Sequence, residues 1–286
     1  MLYERPSSLQ EAIDLMAAAG ANASVMAGGT DLLVRMKDGF VEPELIVDIK
    51  AIKELGAVTE TDDGFLIGAA VPCAALGEVA ALKKAWPGVV EAANLIGSKQ
   101  IQGRCTIAGN LCNASPAADS VPALVAAGAQ AIVAGPNGKR SLAVEDVPTG
   151  PGRTSLGRDE IIEAVGLGKR APRSGDAYLR FIPRTEMDIA VVGVGVNMTL
   201  DAEGRIASAR VALGAVAPTV LLVTEAAEAI VGTKLDDAAL AGIAAACSLA
   251  CRPIDDKRGT IEFRRKVAGV LSRRAAAIAY KRAGGM

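Results

Sequence analysis

The sequence pattern changes near residues 166–175, and this change constrains the fold of the chain more than any other feature. Residues 166–175 are rich in Gly, Pro, Lys and Arg, which predicts a linker. Before this segment, short helical and strand patterns are mixed. After it, strand patterns follow one another at residues 178–182, 190–200 and 205–214, and helical patterns complete the chain. The 286 residues are therefore predicted to form two domains.

The part before the linker is predicted to contain several short elements. Ser8 and Glu11 have the spacing of a capping box, so a helix is expected to follow Ser8 and to end at Gly20. Further strands are predicted at residues 25–27, 45–49, 65–67, 130–134 and 161–165, and further helices at residues 32–37, 73–82, 89–96 and 121–127. After the linker, helices are predicted at residues 224–231, 236–249 and 262–282. The pattern indicates a mixed first domain followed by a small sheet with a helical layer.

The sequence contains no histidine, and this absence excludes several kinds of catalytic site. Neither a Ser-His-Asp triad nor a Cys-His pair can be built from this chain alone. A histidine-ligated zinc or iron site is excluded for the same reason. The five cysteines form no C-x-x-C pair, so an iron–sulfur cluster within the chain is poorly supported. We expect no metal site here, and Cys247 and Cys251 are expected to be plain buried thiols.

Charge and hydropathy weigh against nucleic-acid and membrane partners. There are 31 basic and 32 acidic residues, a net charge of -1, and few aromatic residues accompany the basic helical pattern near the end of the chain. That helix is predicted to be amphipathic and either solvated or in contact with another subunit. The first residues show no basic region before an apolar run, and no apolar stretch approaches the ~18 residues of a membrane span. We therefore expect a soluble, cytoplasmic protein without a transmembrane segment.

Two glycine-containing segments are the candidates for ligand binding. In the first, a strand pattern runs through Gly28 and Gly29 into a helical turn, where backbone N–H groups can approach an anion closely. The second covers residues 106–119, and its hydroxyl and amide side chains can surround a polar ligand. Each segment also has a plain structural interpretation. The first fits an ordinary strand–turn–helix connection, and the second fits an irregular loop before a helix with Ser115 as N-cap and Pro116 at the first helical position.

The common nucleotide-binding signatures are missing. Gly193 and Gly195 lack the third glycine of a Rossmann fingerprint and lie within a strand pattern. Residues 135–141 and 166–170 lack the spacing of a P-loop. A bound dinucleotide would therefore have to be held in another way.

Four motifs carry a resemblance to a known family. They are A-G-G-T-D-L at residues 27–32, T-I-A-G-N at residues 106–110, N-A-S-P-A-A-D at residues 113–119 and R-x-x-x-D-I-A at residues 184–190. With these motifs in this order, the sequence resembles, over nearly its whole length, the FAD-binding (medium) subunit of the molybdenum hydroxylases. That family includes xanthine dehydrogenase, aldehyde oxidoreductase and carbon monoxide dehydrogenase.

The resemblance implies an α+β fold with two domains. Residues 1–170 would form a two-part FAD-binding domain of the vanillyl-alcohol-oxidase-like (PCMH) type, with subdomains at about residues 1–57 and 58–170. Residues 176–286 would form a C-terminal molybdenum-hydroxylase flavoprotein domain, built from a three-stranded antiparallel sheet with a helical layer.

The resemblance also implies cofactor-binding roles. Backbone N–H groups would hold the FAD pyrophosphate along the segment of Val25, Met26, Ala27, Gly28, Gly29, Thr30, Asp31 and Leu32, and the cradle would continue through Thr106, Gly109, Asn110 and Asn113. Ile162 matches a residue that packs near the isoalloxazine ring. Asp119 matches an acidic position near the cofactor. It is expected to bind a ribose hydroxyl or to brace the loop, because a carboxylate repels a pyrophosphate.

Three charged residues of the second part complete the expected site. Arg180 falls where relatives often carry lysine, and a cation there would stabilise negative charge on reduced flavin, although arginine shapes such a site differently. The alternative for Arg180 is a surface charge on an edge strand. Arg184 and Asp188 are expected to form a structural pair beneath the site. No residue of this chain is expected to act as a catalytic acid or base.

The resemblance implies that the chain is the flavin subunit of a heteromeric enzyme. Electrons would arrive from [2Fe-2S] clusters on a small subunit and leave to NAD+ or a quinone, while a large subunit hydroxylates the substrate at a molybdopterin centre. The expected assembly is a dimer of heterotrimers. Thr30 stands where the carbon monoxide branch usually has histidine, and N-A-S-P in the second loop differs from the N-G-D-P of that branch. Both differences favour the xanthine, aldehyde or N-heterocycle branch.

Two other functions stay open at the level of the sequence. A free-standing FAD oxidase or dehydrogenase would carry its own substrate pocket, although many such enzymes need a base near the flavin and this chain has no histidine. A non-enzymatic dinucleotide-binding or assembly protein is the third alternative.

Overall fold

The computed structural model describes residues 1–285, which begin with a small parallel sheet. The strands β1 (Leu2–Glu4), β2 (Ala23–Met26) and β3 (Leu45–Asp48) lie in the order β1-β3-β2. The helix α1 (Leu9–Ala19) follows β1, and the Ser8 side chain caps it by accepting a hydrogen bond from the N–H of Glu11. The helix α2 (Leu32–Lys37) follows β2 and coincides with its prediction. The β2–α2 connection therefore lies at the carboxyl edge of a parallel sheet, where α/β proteins commonly bind ligands.

A five-stranded antiparallel sheet follows. Its strands are β4 (Val58–Thr61), β5 (Gly64–Gly68), β6 (Gln130–Gly135), β7 (Gly138–Ala143) and β10 (Ile161–Gly168), in the order β4-β5-β10-β6-β7. Between β7 and β10, the strands β8 (Pro148–Gly150) and β9 (Arg153–Thr154) form a short ribbon. The helices between β5 and β6 are α3 (Cys73–Leu76), α4 (Ala80–Ala85), α5 (Pro87–Ala93), α6 (Lys99–Gln102), α7 (Ile107–Cys112) and α8 (Ser120–Ala127). One hydrophobic core joins this sheet to the first one.

The last part of the chain is an antiparallel sheet with a helical layer and a second core. The strands are β11 (Ser174–Phe181), β12 (Val192–Leu200), β13 (Ile206–Gly214) and β14 (Leu221–Leu222), in that order. The helices are α9 (Thr224–Glu228), α10 (Asp237–Ala250) and α11 (Ile261–Arg282). Cys247 and Cys251 are free and buried in this core, as predicted. Within residues 1–285, no helix is both long enough and apolar enough to span a bilayer.

Three predictions differ from the structure. Residues 73–82 form two helices instead of one, because the backbone becomes extended at Val79. The predicted linker is shorter than expected: β10 runs to Gly168 and β11 begins at Ser174, so only residues 169–173 connect the two sheets, since pairing in the sheets outweighs composition at both ends. Ser115 does not begin a helix; its hydroxyl accepts from the N–H of Ala117 in a turn, and α8 begins five residues later.

Two details of the C-terminal part differ from the prediction. The short strand β14 adds a fourth member to the predicted three-stranded sheet. The basic helix α11 has exposed basic residues such as Arg265 and Lys266, in keeping with an amphipathic helix, but Arg264 is buried. Its guanidinium binds Asp256 at 2.7 Å and the carbonyl oxygen of Val191 at 2.9 Å. Arg264 therefore anchors the helix to the sheet and does not form part of an exposed basic face.

The helix α8 joins the two parts of the chain. Seven of its eight residues are buried, and Leu124 and Val125 have no exposed surface. Burial of side chains of this size stabilises a fold by about 1.5–3 kcal/mol each. The helix packs on β12 where Gly195 leaves room: a Cβ there would lie 2.3 Å from the carbonyl oxygen of Pro122. The side chain of Arg210 on β13 also donates to the carbonyl oxygen of Val125 at 3.0 Å.

Candidate functional site

A cavity of about 490 Å³ opens where the β2–α2 connection, the α7 segment and the beginning of β10 meet. Its volume lies in the range of roughly 300–1,000 Å³ that is common for small-molecule and cofactor sites. The cavity lining includes these residues assigned by the sequence: Val25, Met26, Ala27, Gly28, Gly29, Thr30, Asp31, Leu32, Thr106, Gly109, Asn110, Asn113 and Ile162. Asp119 and Arg180 are not in this lining. The fold thus brings thirteen of the fifteen assigned residues to one place.

The first wall of the cavity presents a row of backbone donors. The N–H groups of residues 28–32 form no hydrogen bond with any acceptor in residues 1–285. They lead into the first turn of α2, where N–H groups also lack partners within the helix and carry the positive end of its dipole. Lys50 fixes the beginning of this row, because its Nζ donates to the carbonyl oxygen of Ala27 at 2.9 Å and pairs with Asp48 at 2.7 Å. Such a row can hold an anion without any charged side chain.

Gly28 lets the first wall lie directly on the second. A Cβ at this position would be 2.2 Å from the carbonyl oxygen of Arg104 and 2.8 Å from the Cα of Cys105. Both neighbours are backbone atoms, which cannot move aside as a flexible side chain can. Only glycine therefore fits where the two segments meet.

Hydrogen-bonding side chains hold the second wall in place: one caps α7, and the others connect this wall to neighbouring segments. The buried hydroxyl of Thr106 accepts a hydrogen bond from the N–H of Gly109 at 2.9 Å and caps α7. The amide nitrogen of Asn113 donates to a carboxylate oxygen of Asp31 at 3.1 Å, which links the two walls. The side-chain oxygen of Asn110 accepts from the hydroxyl and the N–H of Ser120, at 2.7 and 3.2 Å. Asn110 thereby connects the cavity wall to the beginning of α8.

Asp119 lies just behind this wall in a buried cluster with Tyr178 and Arg180. Its carboxylate accepts from a guanidinium N–H of Arg180 at 2.7 Å and from the hydroxyl of Tyr178 at 3.1 Å. The side chain of Arg180 is only 6% exposed, so it is not a surface charge. Burial raises the pKa of Asp119 to about 6, although Arg180 and Tyr178 act in the opposite direction. This cluster ties the end of the second segment to β11.

The raised pKa of Asp119 predicts a pH-dependent stability. The native chain holds the Asp119 proton to a higher pH than the unfolded chain, whose ordinary pKa is 3.8. Folding therefore takes up a proton, and the free energy of unfolding falls as the pH rises from about 4 to about 6, by about 3 kcal/mol for this group. Urea unfolding across this range measures the slope. The Asp119→Asn variant should lose the part of this pH dependence that Asp119 contributes. If the slope of the unfolding free energy against pH stayed unchanged in that variant, Asp119 would not be its source.

Several cavity residues were missed by sequence reasoning. Cys105, Arg35 and Arg158 also line the cavity. Cys105 directly precedes the T-I-A-G-N motif, so extending that motif by one residue would have found it. Arg158 precedes β10 in an exposed turn, and no pattern in the sequence distinguished it. Arg184 and Asp188 pair at 3.1 Å as expected, outside the cavity lining.

The arrangement fits a dinucleotide such as FAD. The row of unpaired N–H groups suits a pyrophosphate, and the close packing at Gly28 keeps the backbone, not a side chain, against the ligand. Apolar side chains such as Ile96 and Ile162 line the same cavity and offer contact to a flat ring system. Together, the mixed α/β fold and this cavity define a dinucleotide-binding protein of a type different from the Rossmann fold.

Comparison with known proteins identifies the family. Residues 1–169 match the profile described as FAD binding domain in molybdopterin dehydrogenase, and residues 177–279 match CO dehydrogenase flavoprotein C-terminal domain. The carbon monoxide dehydrogenase medium chain of Afipia carboxidovorans is 33% identical, over 98% of this chain and 97% of that protein. The xanthine dehydrogenase FAD-binding subunit of Escherichia coli O157:H7 is 30% identical, over 99% and 97%. The structure of reconstituted CO dehydrogenase from Oligotropha carboxidovorans superposes with a TM-score of 0.94 at 33% identity, covering 98% of this chain and 97% of that one.

The chain therefore belongs to the family of FAD-binding medium subunits of the molybdenum hydroxylases. Its relatives are oxidoreductase flavoprotein subunits, and this chain carries the corresponding FAD-binding domain.

Proposed function

We propose that this chain is the electron-transfer subunit of a heteromeric molybdenum hydroxylase, acting between [2Fe-2S] clusters of a small subunit and an external acceptor, NAD+ or a quinone. Substrate hydroxylation takes place on a large subunit that carries the molybdopterin cofactor. When bound, FAD supplies the conversion between one-electron and two-electron steps, while the chain supplies binding and electrostatics. The observation that carries this proposal is the row of unpaired N–H groups at residues 28–32 beside a cavity of cofactor size.

In this proposal, the residues of the first wall hold the pyrophosphate. The N–H groups of residues 28–32 donate to its oxygens, and Val25, Met26 and Ala27 form the adjoining wall. Thr106 and Gly109 keep the beginning of α7 in place. Asn113 binds the carboxylate of Asp31 through its amide, which reduces the repulsion that this charge would exert on a phosphate. Ile162 packs against the ring system from β10.

Asp119 and Arg180 act, in our proposal, as positioning residues. Of the two roles expected for Asp119, bracing the loop is supported by its hydrogen bonds to Tyr178 and Arg180. The guanidinium of Arg180 is engaged with this carboxylate. Its positive charge is therefore largely balanced by Asp119, and its effect on reduced flavin is smaller than that of an unpaired cation.

We place the chain nearer to the xanthine, aldehyde or N-heterocycle branch than to the carbon monoxide branch. Thr30 in the first wall and the N-A-S-P sequence at residues 113–116 support this placement. The similarity to carbon monoxide and xanthine dehydrogenase subunits, at 33% and 30% identity, is too even to separate the branches. The substrate class is therefore to be read from the large subunit.

The domain organisation and assembly complete the proposal. We assign residues 1–170 to an FAD-binding domain of the PCMH type, with subdomains at residues 1–57 and 58–170, and residues 176–286 to the C-terminal domain. The separate parallel and antiparallel sheets, and the second hydrophobic core, support this division. The complex is proposed to be a dimer of heterotrimers in the cytoplasm. The free cysteines are in keeping with a reducing compartment.

Purification of the complex through a tag on this chain tests the proposal. We expect a small and a large subunit to copurify, with one FAD per copy of this chain and with iron and molybdenum in the complex. Addition of substrate should bleach the flavin absorbance only when all the subunits are present. The control is the same chain purified alone, which should retain FAD and stay oxidised with substrate.

Three results would contradict the proposal. Copurification without molybdenum and iron would exclude a molybdenum hydroxylase. Reduction of flavin by a substrate in the chain purified alone would instead support the free-standing oxidase or dehydrogenase. A stable chain without flavin would favour a non-enzymatic role.

A further inference from the structure

Two thiols, Cys73 and Cys105, lie together beneath the wall of the cavity. The backbone N–H of Cys73, at the beginning of α3, donates to the carbonyl oxygen of Cys105 at 2.8 Å. The two thiols are also close enough for each to shift the pKa of the other. Cys73 has no exposed surface and Cys105 is 4% exposed. The other buried cysteine pair is arranged differently, because the thiol of Cys251 donates to the backbone carbonyl oxygen of Cys247 at 3.1 Å.

This geometry suits a disulfide bond. A direct N–H to carbonyl bond between two residues places their Cα atoms about 5–6 Å apart, as in a hydrogen-bonded pair of strands. Disulfides form at Cα separations of roughly 4.4–6.8 Å when the side chains point toward each other. The mutual effect of the Cys73 and Cys105 thiols on their pKa values agrees with side chains that approach each other. A disulfide can therefore form with little movement of the backbone.

Only one thiol of the pair can be reached from the cavity. Cys105 lines the cavity, whereas Cys73 is not in its lining. The neighbouring thiol of Cys73 lowers the pKa of Cys105, against the effects of burial and of the nearby Asp31 carboxylate. The same contact raises the pKa of Cys73. Since the thiolate is the reactive form, Cys105 is the nucleophile of the pair and Cys73 its resolving partner.

We propose that Cys73 and Cys105 form a peroxide-oxidisable thiol pair in the wall of the cofactor cavity. In the first step, the sulfur of Cys105 attacks hydrogen peroxide: an S–O bond forms, the O–O bond breaks, the sulfur is oxidised by two electrons, and the leaving hydroxide takes the thiol proton as water. In the second step, the sulfur of Cys73 attacks the sulfenic acid of Cys105. The S–S bond forms, the S–O bond breaks, and the departing hydroxide takes the Cys73 proton as a second water.

The position of the pair connects its oxidation to the cofactor. The Cα of Cys105 lies against Gly28, where the two walls meet. Cys105 is followed by Thr106, which caps α7. A ligand in the cavity covers Cys105, so bound FAD should slow the reaction of this thiol. The proposal concerns the thiols themselves and stands apart from the identity of the electron donor and acceptor.

Peptide mass spectrometry of the full-length chain after treatment with hydrogen peroxide tests the proposal. We expect a cross-linked peptide joining Cys73 and Cys105, a loss of two hydrogen atoms, and a loss of two of the five free thiols. The Cys73→Ala variant should stop at a sulfenic acid on Cys105, trapped by dimedone. The Cys105→Ala variant should form neither product.

Matched variants separate this pair from the other cysteines. Cys112 also lines the cavity and is exposed, so Cys112→Ser tests the nearest competitor and should leave the cross-link intact. Cys247→Ala, in the other buried pair, should do the same. Retention of all five thiols, or a cross-link through Cys112, would overturn the proposal. If Cys105 were oxidised by peroxide at the same rate with and without bound FAD, peroxide would not reach Cys105 through the cofactor cavity.

Discussion

A chain carrying Gly28→Ala is expected to bind FAD at least about tenfold more weakly than the wild-type chain, which corresponds to about 1.4 kcal/mol or more. The added Cβ would lie 2.2 Å from the carbonyl oxygen of Arg104, so either this backbone or the row of N–H groups at residues 28–32 has to shift. A shift of a few tenths of an ångström misaligns several donors at once, because they share one stretch of backbone. Titration of the flavin-free chain with FAD, followed by flavin fluorescence, measures the change.

Gly56→Ala is the matched control for this experiment. A Cβ at Gly56 would meet nothing within 4 Å, and its backbone is not left-handed. This variant should therefore keep the affinity of the wild-type chain. Thermal unfolding of both flavin-free variants shows whether the fold survives, which separates a local effect on the cavity from general unfolding. If the Gly28→Ala variant bound FAD with the affinity of the wild-type chain, the close contact between the two walls at Gly28 would not be required for FAD binding.

The Arg180→Ala variant is expected to lose about 3 kcal/mol of unfolding free energy at neutral pH, within the range measured when one partner of a buried ion pair is removed. The loss arises because Asp119 stays buried with only the hydroxyl of Tyr178 as a side-chain donor. Urea denaturation followed by circular dichroism measures the difference. Since a protonated Asp119 carries no charge, the loss should become smaller below pH 6.

An exposed arginine four residues further along the chain provides the comparison. Arg184 also pairs with an aspartate, at 3.1 Å, but its side chain is 69% exposed. Arg184→Ala should therefore cost about 1 kcal/mol or less, as exposed ion pairs usually do. Equal losses in the two arginine variants would contradict the buried-cluster interpretation. If Arg180 instead stabilised reduced flavin directly, Arg180→Lys would preserve the reduction potential of bound FAD while changing stability.

The sequence predicted the elements of the cavity because their signals are local. The first wall is a strand, two glycines and a helical turn within eight residues, and α2 was found at its observed bounds. The N-cap at Thr106 follows the same local rule, although it was not recognised as the beginning of α7. The resemblance of four short motifs to those of the molybdenum hydroxylase flavin subunits then predicted that these segments form one binding site.

The features that the sequence did not predict depend on contacts between distant residues. Asp119 and Arg180 lie 61 residues apart, and no spacing rule indicates that they meet. Cys73 and Cys105 lie in a segment whose cysteines looked unrelated, because their contact depends on how α3 packs against the α6–α7 connection. The linker was predicted too long for a similar reason: Gly166 and Gly168 suggested a break, but neighbouring strands of the sheet stabilise an extended backbone there.

The buried helix α8 has a consequence for recombining this protein with its relatives. The side chain of Asn110, in the cavity wall, accepts from Ser120 at one end of the helix, and Arg210 of the C-terminal sheet donates to Val125 near the other end. A chimera joined at residues 169–173 would cut at a short surface connection, yet would place α8 from one parent against β12 and β13 from another. A chimera should therefore fold stably only when α8 and the C-terminal sheet come from the same parent protein.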